Sequence, residues 1–211
     1  MKKTAIVFGA SGLTGSFLLP ELFADDEYDM VLTFNRKPLG IVSAKLEEFI
    51  TDFKDLDELR RHVKGDVVFN CLGTTINTAG SEAAFRRIDF ELVRWSAVAA
   101  AENKIPRFLV ISSMGADPDS RIFYNRTKGE MEKAVSALSF QQCVILRPSM
   151  LYGPRKDFRF GERVGQFFMW LFWPFIPSKY KLIHARTVAR KMAQLAKGEF
   201  SGVLESNQIR K

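Results

Sequence analysis

The chain has 211 residues, enough for one domain with a sizeable core. Hydrophobic residues make up 46% and charged residues 26%, a balance that excludes a disordered or fibrous chain. The formal net charge is +7, but the basic residues are scattered and no nucleic-acid-binding motif accompanies them, so we expect a small anionic ligand and no nucleic acid partner.

The cysteines and the apolar stretches indicate in which cellular compartment the protein is expected. Cys71 and Cys143 lie inside apolar runs, which predicts two buried thiols and no disulfide framework. No signal-peptide pattern opens the sequence. The longest apolar stretch, 167–177, is too short to span a bilayer and contains prolines. We therefore expect a cytoplasmic protein without stable membrane insertion.

Predicted strands and helices alternate along the chain. Short β-branched or aromatic runs predict strands, and apolar residues at helical spacing predict helices. In chain order these are strand 4–8, helix 12–24, strands 30–34 and 46–51, helix 55–63, strand 67–72, helix 82–103, strand 107–111, helix 121–138, strand 143–146, helices 162–172 and 187–197, and strand 203–204. The alternation predicts an α/β fold, a single doubly wound Rossmann domain with a parallel sheet and helices on both faces.

The predicted topology also locates the ligand site. Right-handed crossovers place the carboxyl ends of all parallel strands on one edge of the sheet, and ligands bind along that edge. We expect residues 1–153 to form a cofactor-binding core. Residues 154–211 would then form a small substrate or lid region within the same domain.

A glycine-rich turn follows the first predicted strand. Gly9, Gly12 and Gly15 are three residues apart, and a helix begins at once. A tight turn, close approach of the backbone to a pyrophosphate, and helix–strand packing each favour glycine, and the pyrophosphate would meet the amides of the helix N-terminus. The alternative is a tight turn with nothing bound. We favour a dinucleotide site, formed by Gly9, Ser11, Gly12, Leu13, Thr14 and Gly15.

The turn after the second strand bears on the choice of dinucleotide. NAD-specific sites place a carboxylate there to bind the ribose hydroxyls. This chain has Asn35, Arg36 and Lys37 instead, and Arg36 can pair with a 2′-phosphate through two parallel hydrogen bonds. We expect NADP(H) as the cofactor and NAD as a weaker ligand. The alternative is that the two cations belong to a solvated turn.

Six motifs occur in a fixed order. They are Gly9-x-x-Gly12-x-x-Gly15, Thr51-Asp52-Phe53, Cys71-Leu72-Gly73-Thr74-Thr75, Ile111-Ser112-Ser113, Tyr124-x-x-x-Lys128 and Arg147-Pro148-Ser149. With them the chain resembles the short-chain dehydrogenase/reductase superfamily, in its atypical or extended branch, over residues 4–153. Within that branch, segments 72–75, 112–117 and 128–130 look most like the family of Tat-interacting oxidoreductase-like proteins.

The resemblance implies roles for further residues. It implies that Lys128 binds the nicotinamide ribose of the cofactor. Other cofactor contacts implied by the matching motifs come from Asp52, Phe53, Leu72, Gly73, Thr74 and Pro148.

A tyrosine and a lysine four residues apart are the main catalytic candidates. Tyr124 and Lys128 share one face of a predicted helix, although without a site they would be a surface packing pair. A free tyrosine side chain has a pKa of about 10, and a nearby ammonium lowers that value. Tyr124 would then exchange a proton with a substrate oxygen. A serine after the fifth strand would bind the same oxygen; we prefer Ser113, with Ser112 as the alternative.

Asp89 departs from the pattern of the superfamily. Many relatives place an asparagine on the helix after the fourth strand, and Asp89 stands there in this chain, which calls a proton relay through that position into question. The family also includes members with unclear substrates and regulatory roles. The resemblance therefore supports the reductase architecture better than it supports turnover.

The histidines and the C-terminal aromatic residues are further candidate sites. His62 and His184 each lie alone, and we expect no metal site. The aromatic patch, which we define as residues 167–175, is read mainly as core packing. The alternatives are a lid over the substrate pocket, an interaction patch for a homodimer or a protein partner, or, with the basic residues before it, a weak membrane contact.

The residues together predict an NADP(H)-dependent oxidoreductase of the carbonyl reductase or alcohol dehydrogenase type, acting on an unknown small substrate. The first alternative is an NADP(H)-binding regulatory or redox-sensing protein without robust turnover. The second is an enzyme like the nucleotide-sugar epimerases, which we rank last because few residues remain after Pro148 for a substrate domain.

Overall fold

Seven parallel strands form the main sheet of the computed structural model, which describes residues 2–154, 177 and 180–211. Their order across the sheet is β3-β2-β1-β4-β5-β6-β9. The strands are β1 (Lys3–Phe8), β2 (Tyr28–Asn35), β3 (Leu46–Ile50), β4 (Val67–Asn70), β5 (Arg107–Ile111), β6 (Gln142–Arg147) and β9 (Gly202–Glu205). All neighbouring strands pair in parallel, so their carboxyl ends lie at one edge.

Helices connect the strands and cover both faces of this sheet. They are α1 (Leu13–Phe23), α2 (Leu56–His62), α3 (Ile76–Ala79), α4 (Glu82–Arg86), α5 (Val93–Glu102), α6 (Phe123–Ser136), α7 (Ala185–Leu195) and α8 (Ser206–Ile209). A π-helical turn, Arg87–Leu92, joins α4 to α5. No helix in the described ranges is long and apolar enough to cross a membrane.

Two apolar layers hold the helices against the sheet. Alternate residues of β1 point to opposite layers: Val7 belongs to one, Ile6 and Phe8 to the other. The first layer contains α1 and α7, with Leu18, Leu22, Val188 and Met192. The second contains α2, α5 and α6, with Leu59, Ala97, Met131 and Val135. The predicted doubly wound Rossmann fold is therefore confirmed.

Two of the differences between predicted and observed elements have a local structural cause. The helix predicted over 82–103 is interrupted by the π-helical turn, whose wider hydrogen-bond spacing replaces that of an α-helix over Arg87–Leu92. The strand predicted over 67–72 ends at Asn70, because the Asn70 side-chain oxygen accepts a hydrogen bond from the Leu72 amide at 3.1 Å and turns the chain.

A second, two-stranded parallel sheet lies beyond β6. It pairs β7 (Leu151–Tyr152) with β8 (Ile183–His184), and the sequence did not predict it. The Ser149 hydroxyl donates to the Lys181 carbonyl at 2.5 Å beside this pair. The segment before α7 therefore lies beside the segment that follows β6. Helix α7 then packs in the main core, and β9 pairs with β6. The helix predicted over 162–172 and the aromatic patch lie outside the described residues.

Candidate functional site

The glycine loop has no room for side chains at two of its three glycines. Gly9 has a φ of 76°, and a Cβ on it would lie 2.6 Å from the carbonyl carbon of Cys71. A Cβ on Gly15 would lie 2.2 Å from the Gly9 carbonyl oxygen. The loop thus packs β1, α1 and the end of β4 at backbone contact distance, as close helix–strand packing requires.

The N-terminus of α1 is open to an acceptor from outside. Gly12 is the N-cap residue, and no side chain within the described ranges caps the helix. The first turn contains no acidic residue, Ser11 is exposed and Thr14 is buried. Leu13 begins the helix and is partly exposed. Uncapped amides at the positive end of a helix dipole are suited to a phosphate group.

Arg36 and Lys37 are exposed on the turn after β2, and within the part of the chain that the structure describes they form no ion pair. Asn35, in contrast, is buried. Its side-chain amide donates to Thr33 Oγ1 at 2.8 Å and to Glu48 Oε2 at 3.2 Å. Its side-chain donors are therefore occupied inside the protein, where they support the turn.

Asp52 and Phe53 lie just after β3 on the same edge. Asp52 is exposed and pairs with Lys54 Nζ at 2.8 Å, and this hydrogen bond holds the pKa of the Asp52 carboxyl below its usual value. Phe53 is buried with a φ of 57°, and its amide donates to Thr51 Oγ1 at 3.0 Å. The strand thus ends in a sharp turn that presents Asp52 to solvent.

The segment after β4 passes over a buried carboxylate. Leu72, Gly73 and Thr74 follow the strand directly, and the Thr74 amide donates to Asp89 Oδ2 at 2.8 Å. A Cβ on Gly73 would lie 3.5 Å from Asp89 Oδ1 and 3.8 Å from Lys128 Nζ. Gly73 therefore lies beside Lys128, and Thr74 binds the carboxylate that pairs with this lysine.

Ser112 and Ser113 follow β5, and both hydroxyl oxygens are buried without a hydrogen-bond partner among the described residues. Ser112 is almost fully buried, whereas Ser113 is partly exposed. The Met114 amide donates to the Pro148 carbonyl at 3.0 Å and so joins this turn to the end of β6. A buried hydroxyl without a partner is costly, so a ligand oxygen is a natural acceptor or donor for it.

Tyr124 and Lys128 lie on α6, one turn apart. The Tyr124 ring is partly buried, with its centroid 5.2 Å from that of Phe85. Lys128 is buried, and its Nζ lies 2.6 Å from Asp89 Oδ1. Burial alone would lower the pKa of Lys128, but the negative charges of Asp89 and of an ionised Tyr124 outweigh it and raise that pKa above its usual value.

Two functional residues were not predicted in their observed roles. The sequence marks Asp89 only as a residue that calls a proton relay into question, whereas in the structure it is the counter-ion of Lys128. Its place between Phe85 and Val93, at four-residue spacing on a buried helix face, was the available signal, since a buried carboxylate needs a cation. Glu48 also accepts from the Leu39 amide at 2.9 Å and fixes the turn that carries Arg36.

The cysteines are less enclosed than predicted. Cys71 and Cys143 are free and their residues are only partly buried, because each lies where a strand of the sheet meets a surface turn. Burial of the sulfur atoms still raises the pKa of the Cys71 thiol to about 12 and that of Cys143 to about 11. Neither thiol is suited to nucleophilic chemistry near neutral pH.

Comparison with known sequences finds relatives along most of the chain. A family model described as NAD(P)H-binding matches residues 9–168. Protein HTATIP2 of Rattus norvegicus is 35% identical over 170 residues, which cover 79% of this chain and 70% of the relative. Protein FMP52, mitochondrial, of Candida albicans is 30% identical over 215 residues, covering 98% of this chain and 93% of the relative.

Comparison with solved structures supports the fold. The Bordetella bronchiseptica enzyme WbmH, in complex with NAD+, has a TM-score of 0.74 at 15% identity and matches 97% of this chain and 75% of its own. MoeE5, in complex with UDP-glucose and NAD, has a TM-score of 0.71 at 19% identity and matches 98% of this chain and 79% of its own. From the matching family model, the relatives and the glycine loop together, the chain belongs to the NAD(P)H-binding Rossmann family, among relatives of HTATIP2 and FMP52.

Proposed function

We propose that the chain is an NADP(H)-dependent oxidoreductase of the short-chain dehydrogenase/reductase type, which interconverts a carbonyl and an alcohol in a small substrate. The observation that carries the proposal is the arrangement at the end of β5. The hydroxyl oxygens of Ser112 and Ser113, which have no hydrogen-bond partner in the described part of the chain, follow the strand. Helix α6 presents the partly buried Tyr124 and the charged Lys128.

The residues around the glycine loop fit a dinucleotide. The uncapped amides of α1 suit its pyrophosphate, and Arg36 on the exposed turn after β2 suits a 2′-phosphate. Lys128 and the 72–74 segment would hold the nicotinamide ribose. When bound, NADPH supplies the hydride that a carbonyl carbon accepts.

Side chains of the protein would transfer the proton to the substrate oxygen and stabilise the negative charge that develops during the reaction. Tyr124 donates its hydroxyl proton to the substrate oxygen during reduction and accepts it back during oxidation. The Lys128 ammonium stabilises the phenolate that Tyr124 becomes. Ser113 donates a hydrogen bond to the same oxygen; we prefer it to Ser112 because its residue is partly exposed.

Oxidation of NADPH in the presence of carbonyl compounds tests the proposal. The protein would be incubated with aldehydes, ketones and quinones while the absorbance of NADPH is followed, with NADPH and NADH binding measured by calorimetry. Substrate-dependent oxidation supports the proposal. Binding without oxidation of any compound favours a regulatory protein instead. Interconversion of UDP-sugars in a parallel assay with NAD would favour epimerase chemistry instead.

The choice of NADP(H) has its own test. Arg36→Ala should weaken NADPH binding by about 1–3 kcal/mol, the usual cost of losing a charged hydrogen bond, and should leave NADH binding unchanged. Calorimetry with both dinucleotides measures the two effects. Arg94→Ala, which removes another exposed arginine, on α5, is the matched control. An equal loss for both dinucleotides, or tighter binding of NADH to the unaltered protein, would contradict the assignment.

A further inference from the structure

Asp89 lies in the one part of the α4–α5 region that departs from α-helical geometry. The π-helical turn Arg87–Leu92 contains it, and its side chain is fully buried. Such turns are rare and often occur at functional sites. Phe85 and Val93, four residues to either side, are also fully buried, so Asp89 occupies a position that packing alone would give to an apolar residue.

Both oxygens of Asp89 face groups of the candidate site. Oδ1 lies 2.6 Å from Lys128 Nζ on α6, and Oδ2 accepts the Thr74 amide at 2.8 Å. Gly73 covers the pair so closely that a Cβ there would lie within 4 Å of both partners. The carboxylate thus joins three segments: the loop after β4, the π-helical turn, and the helix that carries Tyr124.

We propose, building on the function proposed above, that Asp89 is a positioning residue that keeps Lys128 as a fixed cation between Tyr124 and the 72–74 loop. The lysine would then stabilise negative charge without itself giving up a proton. An asparagine at this position would keep the bond to the Thr74 amide but would supply no charge. The aspartate, unlike an asparagine, therefore supplies the negative charge that keeps Lys128 protonated.

The other charges around Lys128 do not replace Asp89. Tyr124 is neutral until it loses its proton. Glu132, one turn further along α6, is already paired with Arg147, whose Nη2 lies 2.6 Å from its Oε2. Asp89, Tyr124 and Glu132 are the main charges acting on Lys128, and among the described residues Asp89 alone forms an ion pair with it.

Asp89→Asn tests the proposal on the protein without cofactor. In the unaltered protein Lys128 contributes stability below its ordinary pKa of about 10.4, and this is lost only as the pH rises through its raised folded pKa. In the variant, burial without the Asp89 counter-charge should lower the folded pKa of Lys128 below its ordinary value. The unfolded chain then binds more protons, so the variant should gain stability relative to the unaltered protein as pH rises.

Thermal unfolding of both proteins between pH 7 and pH 10 measures this difference. We expect the deficit in Tm of Asp89→Asn at pH 7 to shrink by more than roughly half at pH 10. Glu132→Gln is the matched control, since it also removes a buried carboxylate but leaves an arginine, which stays charged throughout; its deficit should not change with pH. Adding Lys128→Met to Asp89→Asn should abolish the pH dependence.

A deficit of Asp89→Asn that is as flat with pH as that of Glu132→Gln would overturn the proposal. The same conclusion would follow if the pH dependence persisted without Lys128. Where the variant fails to fold at pH 7, refolding at pH 10 supplies the comparison, and failure at both values also overturns the proposal. NADPH binding to the unaltered protein is measured separately, so a failure of the proposed function is distinguishable from a failure of this role.

Discussion

Replacing Tyr124 by phenylalanine should lower turnover about 10²- to 10⁴-fold while leaving NADPH binding unchanged. The range is the usual contribution of one positioned acid or base. The substitution removes only the hydroxyl, and the ring can still pack beside Phe85 at the same centroid distance of 5.2 Å. Steady-state kinetics on a substrate found by the carbonyl screen, together with calorimetry of NADPH, measures the two quantities.

The matched control for this substitution is Tyr28→Phe. Tyr28 is buried at the start of β2, on the edge of the sheet opposite the carboxyl ends of the strands. Its hydroxyl can be lost without touching the site, so turnover should remain. Full activity of Tyr124→Phe would remove the proposed acid from the mechanism. A parallel loss of NADPH binding would instead mean that the substitution disturbs the cofactor site.

Replacing Gly129 by alanine should destabilise the fold by about 3 kcal/mol, the upper end of the usual cost of overpacking. A Cβ there would lie 2.1 Å from the Pro118 nitrogen and 2.2 Å from the Asp117 carbonyl carbon. Both atoms are backbone, so no flexible side chain can give way. The turn formed by residues 114–118 is also held to α6, because the Asp117 amide donates a hydrogen bond to the Asn125 carbonyl at 3.0 Å.

Chemical denaturation measures this loss of unfolding free energy. In thermal unfolding, Tm should fall by roughly 6–12 °C for a chain of this size. Gly198→Ala is the control, because the nearest contact of its added Cβ is the Leu195 carbonyl oxygen at an ordinary 3.7 Å. It should leave stability nearly unchanged. An equal, small effect of both substitutions would show that α6 and the 114–118 turn can separate freely. Such freedom would contradict the close packing of the 114–118 turn against α6.

The sequence alone predicted the layered fold and most of the strand edge that carries the site. Strands buried on both faces must be short apolar runs, and β5 begins and ends at Arg107 and Ile111 as the pattern predicts. The glycines of the 9–15 loop were equally readable, because Gly9 and Gly15 leave no space for any side chain. At such positions the local backbone geometry permits only glycine, so the residue type itself reveals the geometry.

Contacts between distant segments were decided only by the tertiary structure. Helical periodicity shows that the residue at position 89 is buried, but not that Lys128, on another helix, lies 2.6 Å away. The same holds for Glu48, which reaches back to Asn35 across two neighbouring strands. The π-helical turn was also not predicted from the hydrophobic periodicity. It differs from an α-helix in its backbone hydrogen bonds, which the residue types do not reveal. Periodicity reports the buried face of each element, whereas the partner on the opposite element depends on how the helices pack across the sheet.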